Sequence, residues 1–274
     1  MKKLFIDIGG THLRSEMQSR DTFIRETLSS SETGLMEYID RVMEHHPHID
    51  FIGISYAGQV DKGEILSAPN IHIDSYHIAS EVERRYGIPL IIDNDLNCAV
   101  RAEAAYWKSD NIAALYVGTG IGAAVIDQGR IVRGSHNMAF EIGHIPYKSS
   151  PLVCGCGRSN CLELYASGSG MAKWLEYYGS EEKAVLSSLQ GNSVREEFEA
   201  AFLHAAGVLV TLGNPEILVL GGGVIEENTY LATLLREKLH YYALFPALQN
   251  VRIEISALEN APFEGAKLLE NTHG

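Results

Sequence analysis

The 274-residue sequence has no uninterrupted apolar stretch near the roughly 20 residues that a membrane-spanning helix needs, its apolar runs breaking at glycine or charge within about ten. That excludes a helical membrane protein. Cations are scarce as well: 22 Lys and Arg stand against 35 Asp and Glu, a net charge of −13. A surface of that sign repels phosphate backbones and anionic lipid, so nucleic acid and membrane are both excluded as partners. A small anion such as a nucleotide is still admissible, because backbone amides at helix N-termini act locally. No export signal is read, since Met1-Lys2-Lys3-Leu4-Phe5-Ile6-Asp7 puts an acid where a signal peptide needs an apolar core. The expectation is a cytoplasmic protein. There are four cysteines, with Cys98 alone and Cys154, Cys156 and Cys161 close together, which suits a metal in a reducing compartment rather than a disulfide framework. Low-complexity segments and long linkers are absent too. With 46% hydrophobic and 21% charged residues, the chain reads as globular, one large domain or two modest ones.

What is present is an alternation of strands and helices, the mark of an α/β fold. KKLFIDIGG reads as a buried strand entering a glycine turn, and residues 12–28 as two further strands. A helix is expected over 34–46, ending before Pro47, then a buried strand at IDFIGISYAG. Next come a helix from Ser75 to Tyr86 stopped by Gly87, a strand at PLIID and an Ala-rich helix from Leu96 to Trp107. After Lys108-Ser109-Asp110 the pattern restarts: NIAALYVGTGIGAAVIDQGRIV gives strand, glycine turn, strand, turn, strand. The restart points to a structural duplication with a boundary near 109, dividing the chain into domains 1–109 and 110–274. Helices are expected around 164–177, 181–190, 194–212 and 226–242, strands at 216–220 and 251–256, and a last helix from about 263 that could pack back on the first domain.

Four groups of residues can carry chemistry. In Asp7-Ile8-Gly9-Gly10-Thr11, a strand delivers an acid to a turn whose two glycines let backbone amides approach phosphate oxygens. Thr11 can add a hydroxyl and Asp7 can hold a hydrated Mg²⁺, though an ordinary hairpin turn fits the same residues. Gly118-Thr119-Gly120-Ile121-Gly122 repeats the device, and neither turn carries the lysine of a P-loop. The strand, Gly221-Gly222-Gly223 and helix that follow suit the flat face of an adenosine or, equally, a tight strand-to-helix turn. Asp93-Asn94-Asp95 lies between a strand and a helix, where an aspartate can take a proton from a hydroxyl attacking a phosphoryl group; helix capping is the commoner use of such residues. Last, His144, Cys154, Cys156 and Cys161, spaced ten, two and five apart, make a closed tetrahedral set for a structural Zn²⁺. Glu141 and Glu163 flank that set and could bind sugar hydroxyls from a metal-stiffened loop.

Taken together, these segments resemble the ROK family of repressors and sugar kinases in the actin-like superfamily. The resemblance runs through DIGGT at 7–11, GISYAGQVDKGEI at 53–65, APN at 68–70, DNDLNCA at 93–99, GTGIGAAV at 118–125, FEIGHI at 140–145, CGCGRSNCLELYASG at 154–168 and LVLGGGV at 218–224. It implies two actin-like, ribonuclease H-like domains around a cleft with a small zinc-binding loop, ATP with Mg²⁺ on the two phosphate turns, and phosphorylation of a hexose. By the same resemblance Asp95 is the catalytic base, and Asn70, Asn94, Glu141, His144 and Glu163 bind the sugar, His144 doubling as a zinc ligand. Glucose is the first expectation, followed by N-acetylglucosamine, N-acetylmannosamine and fructose, and a homodimer is expected from the family. The chain departs from the family pattern at Tyr56-Ala57-Gly58 and at Asn160, neither of which removes a catalytic group, and in IHIDSYHI after Asn70, where the sugar-facing loop is expected to differ from that of glucose enzymes. A sugar-responsive repressor or an idle sensor is the rival. The repressors carry an added N-terminal DNA-binding domain, which is not expected where Asp7 is already the phosphate-turn acid.

Overall fold

A computed structural model describes residues 1–19, 22–68 and 71–272. The chain divides into two compact units, one formed by Met1–Ala102, Arg133–Met138 and Leu258–Gly274, the other by Glu103–Val132 and Ala139–Ala257. Among the described residues no helix is long and apolar enough to cross a membrane.

The first unit is built on strands β1 (Lys3–Ile8), β2 (His12–Ser19), β3 (Thr22–Ser29), β4 (Phe51–Tyr56) and β7 (Leu90–Asn94) in the order β3-β2-β1-β4-β7. A small hairpin, β5 (Gln59–Asp61) with β6 (Glu64–Ser67), leaves the sheet after β4. β1 runs antiparallel to β2 and parallel to β4, which runs parallel to β7. Both faces are covered, which is why these strands read as continuous apolar runs. Leu4, Ile6, Ile8, Ile52 and Ile54 pack with helices α1 (Leu35–His45) and α2 (Ile78–Tyr86). Phe5 and Phe51 face the other way, with Cys98 of α3 (Asp95–Trp107) and Ala266 of α9 (Ala261–Lys267).

Glycine sets how closely these layers meet. A β-carbon on Gly265 would fall 1.8 Å from the Cys98 carbonyl oxygen and one on Gly53 2.6 Å from that of Ala266, so α9 lies flush on both α3 and β4. Backbone atoms on the receiving side cannot rotate away. Gly265→Ala is therefore expected to cost about 3 kcal/mol, at the upper end of overpacking penalties, read as a melting temperature lower by roughly 6–10 °C. A melting temperature within a degree of wild type would contradict this packing.

The second unit repeats the plan. Strands β8 (Ile112–Val117), β9 (Ile121–Asp127), β10 (Arg130–Ile131), β11 (Ile217–Gly221) and β12 (Arg252–Ile255) take the order β10-β9-β8-β11-β12. β8 is antiparallel to β9 and parallel to β11, which is parallel to β12. Order and direction match the first sheet strand for strand, so the duplication suggested by the sequence is present in the topology. Its core gathers on α6 (Ser193–Gly213), apolar around most of its girth through Phe198, Phe202, Ala206 and Leu209. Asn192 caps its start, accepting from the Val194 amide at 2.8 Å, and Asn214 ends it in the left-handed region at φ 42°.

Three expected helices are corrected. The pattern over 181–190 yields only a single 3₁₀ turn, Leu186–Ser188, because the segment is confined between Gly179 and Gly191, both at positive φ, and Ser188 turns its hydroxyl onto the Val185 carbonyl at 2.8 Å. The helix over 164–177 breaks into α4 (Glu163–Ala166) and α5 (Gly168–Tyr177) at Ser167, whose hydroxyl donates to the Glu163 carbonyl and accepts from the Gly170 amide. The helix over 226–242 begins earlier and splits into α7 (Gly223–Glu227) and α8 (Tyr230–Lys238) at Asn228, whose side chain donates to the Val224 carbonyl at 2.9 Å.

Candidate active site

In the first unit the acids sit in a row across the sheet. Register pairs Asp7 with Ser55 and Ser55 with Asp93 near the carboxyl ends of β1, β4 and β7, on the face covered by α3 and α9. Asp7 is buried: Oδ1 accepts from the Ser55 hydroxyl at 2.9 Å, Oδ2 accepts from Asn260 Nδ2 at 3.0 Å, and Arg14 lies 3.6 Å away. Burial pushes its carboxyl above the usual range, against the bonds from Asn260 and Ser55 and the charge of Arg14. Such a group gains from a nearby cation, which fits it to a hydrated Mg²⁺. Beyond it, Gly9 donates its amide to the His12 carbonyl at 2.9 Å, closing the turn, while Gly10 and Thr11 are exposed.

The Asp93-Asn94-Asp95 turn divides its duties. Asn94 is the cap of α3: its Oδ1 accepts from the amides of Leu96 at 2.9 Å and Asn97 at 3.3 Å, and its Nδ2 donates to the Gly58 carbonyl at 3.1 Å. Asp95, half-buried at the first position of the helix, accepts from the Leu96 amide at 3.0 Å. The capping role that the sequence left open for either residue thus falls mainly to Asn94. Asp93 is buried and holds Arg133 through two parallel bonds, 2.8 Å to Oδ1 and 2.6 Å to Oδ2. Burial works to raise its carboxyl, but the bonds and charge of Arg133, with Asn97 and Asn137, outweigh burial and hold it below the ordinary carboxylate range. Asn70 lies outside the described residues.

In the second unit the Gly118 to Gly120 turn is closed by Gly118 N–H on the Gly120 carbonyl at 2.9 Å, and α5 begins against it through Gly168 N–H on the Gly118 carbonyl, also 2.9 Å. A β-carbon on Gly120 would fall 2.8 Å from Glu163 Oε2, so Glu163 rests on this glycine turn itself. Thr119 is exposed, and Gly122 pairs with Tyr116 within the β8–β9 ladder. At 221–223 a β-carbon would strike the Tyr116 ring at 2.5 Å from Gly221 and the Val117 carbonyl at 2.5 Å from Gly222, which sits at φ 87°. Gly223 faces open space. The first two glycines are required by packing and the third leaves room at the start of α7.

His144, Cys154, Cys156 and Cys161 bring one donor atom each to within 4.8 Å of one another, the one such convergence of three or more metal-binding groups among the described residues. The cysteines are free thiols. His144 Nδ1 is 3.6 Å from Cys154 Sγ, close to the edge of a tetrahedron built on Zn–S and Zn–N bonds of about 2.3 and 2.0 Å. Cys156 and Cys161 are 3.3 Å apart. Gly157 at φ 87° turns the knuckle, Cys154 N–H donates to the Arg158 carbonyl at 2.8 Å, and Arg158 donates to the His144 carbonyl at 2.8 Å. Burial raises Cys154 to about 12; Cys156, despite some burial, is held at about 6 by bonds from the Arg158 amide and side chain. A low-pKa thiolate beside protonated neighbours is a donor set that a soft dication would complete by displacing protons.

Glu141 and Glu163 flank the knuckle. Desolvation raises the Glu141 carboxyl, with the nearby His144 opposing that and Glu163 adding to it. The residue before Glu141, Phe140, is held at φ 63°, costly for a bulky side chain and the kind of strain that collects at functional sites. Sequence reasoning missed Ser55, Asn260, Arg133 and Asn137. Only Asp93 carried a signal, since it shares its strand face with partly buried Ile91.

The family model described as ROK matches residues 4–272. A glucokinase of Thermotoga maritima is 28% identical over 97% of this chain and 96% of its own. A ROK family glucokinase from Streptomyces griseus, solved with glucose and AMPPNP, superposes with a TM-score of 0.73 at 25% identity, covering 98% of this chain and 99% of that one. A ROK family transcriptional regulator, homologous to the E. coli MLC protein, has the same fold with a TM-score of 0.81 at 19% identity, covering 98% of this chain and 78% of that one.

Proposed function

The chain belongs to the ROK family, and from that premise we propose that it is an ATP-dependent sugar kinase that phosphorylates a hexose hydroxyl, glucose first among the candidates. The observation that carries this reading is Asp95: a carboxylate at the start of α3 that is not needed as the helix cap, because Asn94 makes those bonds. Asp95 accepts the proton of the sugar hydroxyl as the hydroxyl oxygen bonds to the γ-phosphorus of ATP and the bridging bond to the β-phosphate breaks, releasing ADP. The amides of Gly10 and Thr11 and those of Thr119 and Gly120 hold the phosphates, those of Gly9 and Gly118 closing their turns, and the open side of Gly223 accepts the adenosine. Asp7 would hold Mg²⁺, which when bound neutralises charge on the phosphates.

Glu141, Glu163 and His144 position the sugar hydroxyls, together with Asn70 and Asn94. His144 presents Nδ1 to the cysteine cluster, which leaves the Nε2 side for a sugar. Zinc in the His144, Cys154, Cys156 and Cys161 set is structural, since all four positions are filled by protein. The chain works as a homodimer in the cytoplasm. A fold shared with a transcriptional regulator does not by itself select the kinase, so the test is turnover. In an ADP-release assay with MgATP across glucose, fructose, mannose and N-acetylhexosamines, one sugar is expected to stand out in kcat/KM. No turnover on any of them, with sugar binding retained in calorimetry, would favour a sensor instead.

A further inference from the structure

Asp93 lies two residues before Asp95, and its one carboxylate touches the chain on both sides of it. Oδ1 accepts from the backbone amide of Asn94 at 2.9 Å and from the side-chain amide of Asn97, one turn into α3, at 3.0 Å. The same oxygen takes Arg133 at 2.8 Å and Asn137 at 3.2 Å, and the other takes Arg133 at 2.6 Å with Arg101 3.9 Å away. Asn137, at φ 58°, accepts from Asn97 at 3.0 Å and from Arg133 at 2.7 Å and donates to the Val60 carbonyl at 2.8 Å. Residues 94 and 97, on either side of Asp95 in sequence, are thereby fixed by bonds to Asp93. The segment 133–138 joins this unit although the strands before it belong to the other.

We infer that Arg133 and Asn137, acting through Asp93, are positioning residues that set the orientation of the Asp95 carboxylate. The inference rests on the kinase reading for its catalytic consequence but not for its structural one. The Asp93–Arg133 charge pair and two amide side chains, Asn97 and Asn137, would be an expensive way merely to stabilise a helix start already capped by Asn94. A bidentate guanidinium fixes a carboxylate in direction as well as place, and a shift near 1 Å in a reacting group costs on the order of 100-fold in rate.

Removing Arg133 alone leaves Asp93 buried and unpaired, so the test uses the charge-balanced pair Asp93→Asn with Arg133→Gln beside Arg133→Lys. The double variant is expected to melt within a few degrees of wild type yet lose kcat by about 10–100-fold. KM for sugar and MgATP should change less than about threefold. Amide exchange at Leu96 and Asn97 should quicken by at least about tenfold while β11 amides keep their wild-type rates. Arg133→Lys, which restores charge without the fork, should recover stability more than kcat. Unchanged exchange at Leu96 and Asn97 would overturn the inference whether or not the protein is a kinase. Quickened exchange with unchanged kcat would reduce the network to a structural brace. A wild type without turnover, but with exchange responding as expected, would count against the kinase reading and leave the positioning standing.

Discussion

Asp95→Asn is expected to lower kcat by about 10²–10⁴-fold with little change in stability or in affinity for the sugar. The asparagine keeps the size of the side chain and an oxygen that can still accept from the Leu96 amide, as Asp95 does at 3.0 Å. What it loses is the capacity to take a proton. Because Asn94 carries the capping bonds to Leu96 and Asn97, the start of α3 should remain formed. Steady-state kinetics, with calorimetry for the sugar, separates the two properties. A variant that keeps more than a tenth of wild-type kcat would remove Asp95 from the chemistry and turn attention to Asp93, which is buried and tied to Arg133, a poor arrangement for a base.

Loss of the metal is the second large effect. Cys161 is fully buried and its sulfur faces that of Cys156, so Cys161→Ser replaces a soft donor by a hydroxyl that does not ionise at neutral pH. The native protein is expected to carry one zinc per chain by elemental analysis and the variant less than about a tenth of that. Structural zinc sites are worth about 10 kcal/mol or more in small peptides, and here that energy orders a knuckle beside the core around α6 rather than the whole unit. The consequence is therefore local. Segment 141–163 should become protease-sensitive, and the sugar KM should rise at least about tenfold, because His144 belongs to the knuckle and Glu163 directly follows it. Native protein without zinc would contradict the assignment, and a zinc-free variant with an unchanged sugar KM would detach the metal from the sugar site.

The parts of this account that the sequence made legible are those written locally. β1, β4, β8 and β11 read as strands because both faces of each sheet are covered, and the cysteine knuckle read as a metal site because its ligands lie within eighteen residues, 144–161. The restart at NIAALYVGTGIG read as a duplication because each half begins with the same strand and glycine turn. What could not be read depends on partners distant in sequence. Asp93 and Arg133 are forty positions apart and Asp7 and Asn260 still further, and no spacing rule links them. The split helices at Ser167 and Asn228 turn on single side chains bonding to their own backbone, which competes with helix at close to equal energy. The glycines at 221 and 222 fit ligand approach and packing equally in sequence, and only the Tyr116 ring and the Val117 carbonyl against them make packing the reason.

The most direct test of the central claim is to follow the phosphoryl group itself. Wild-type protein, MgATP and the preferred sugar are incubated together, and sugar phosphate is measured by ³¹P NMR against ADP formed. The account requires one sugar phosphate per ADP, with both products lost in Asp95→Asn. ADP without sugar phosphate, or neither product with any hexose or N-acetylhexosamine, would contradict it.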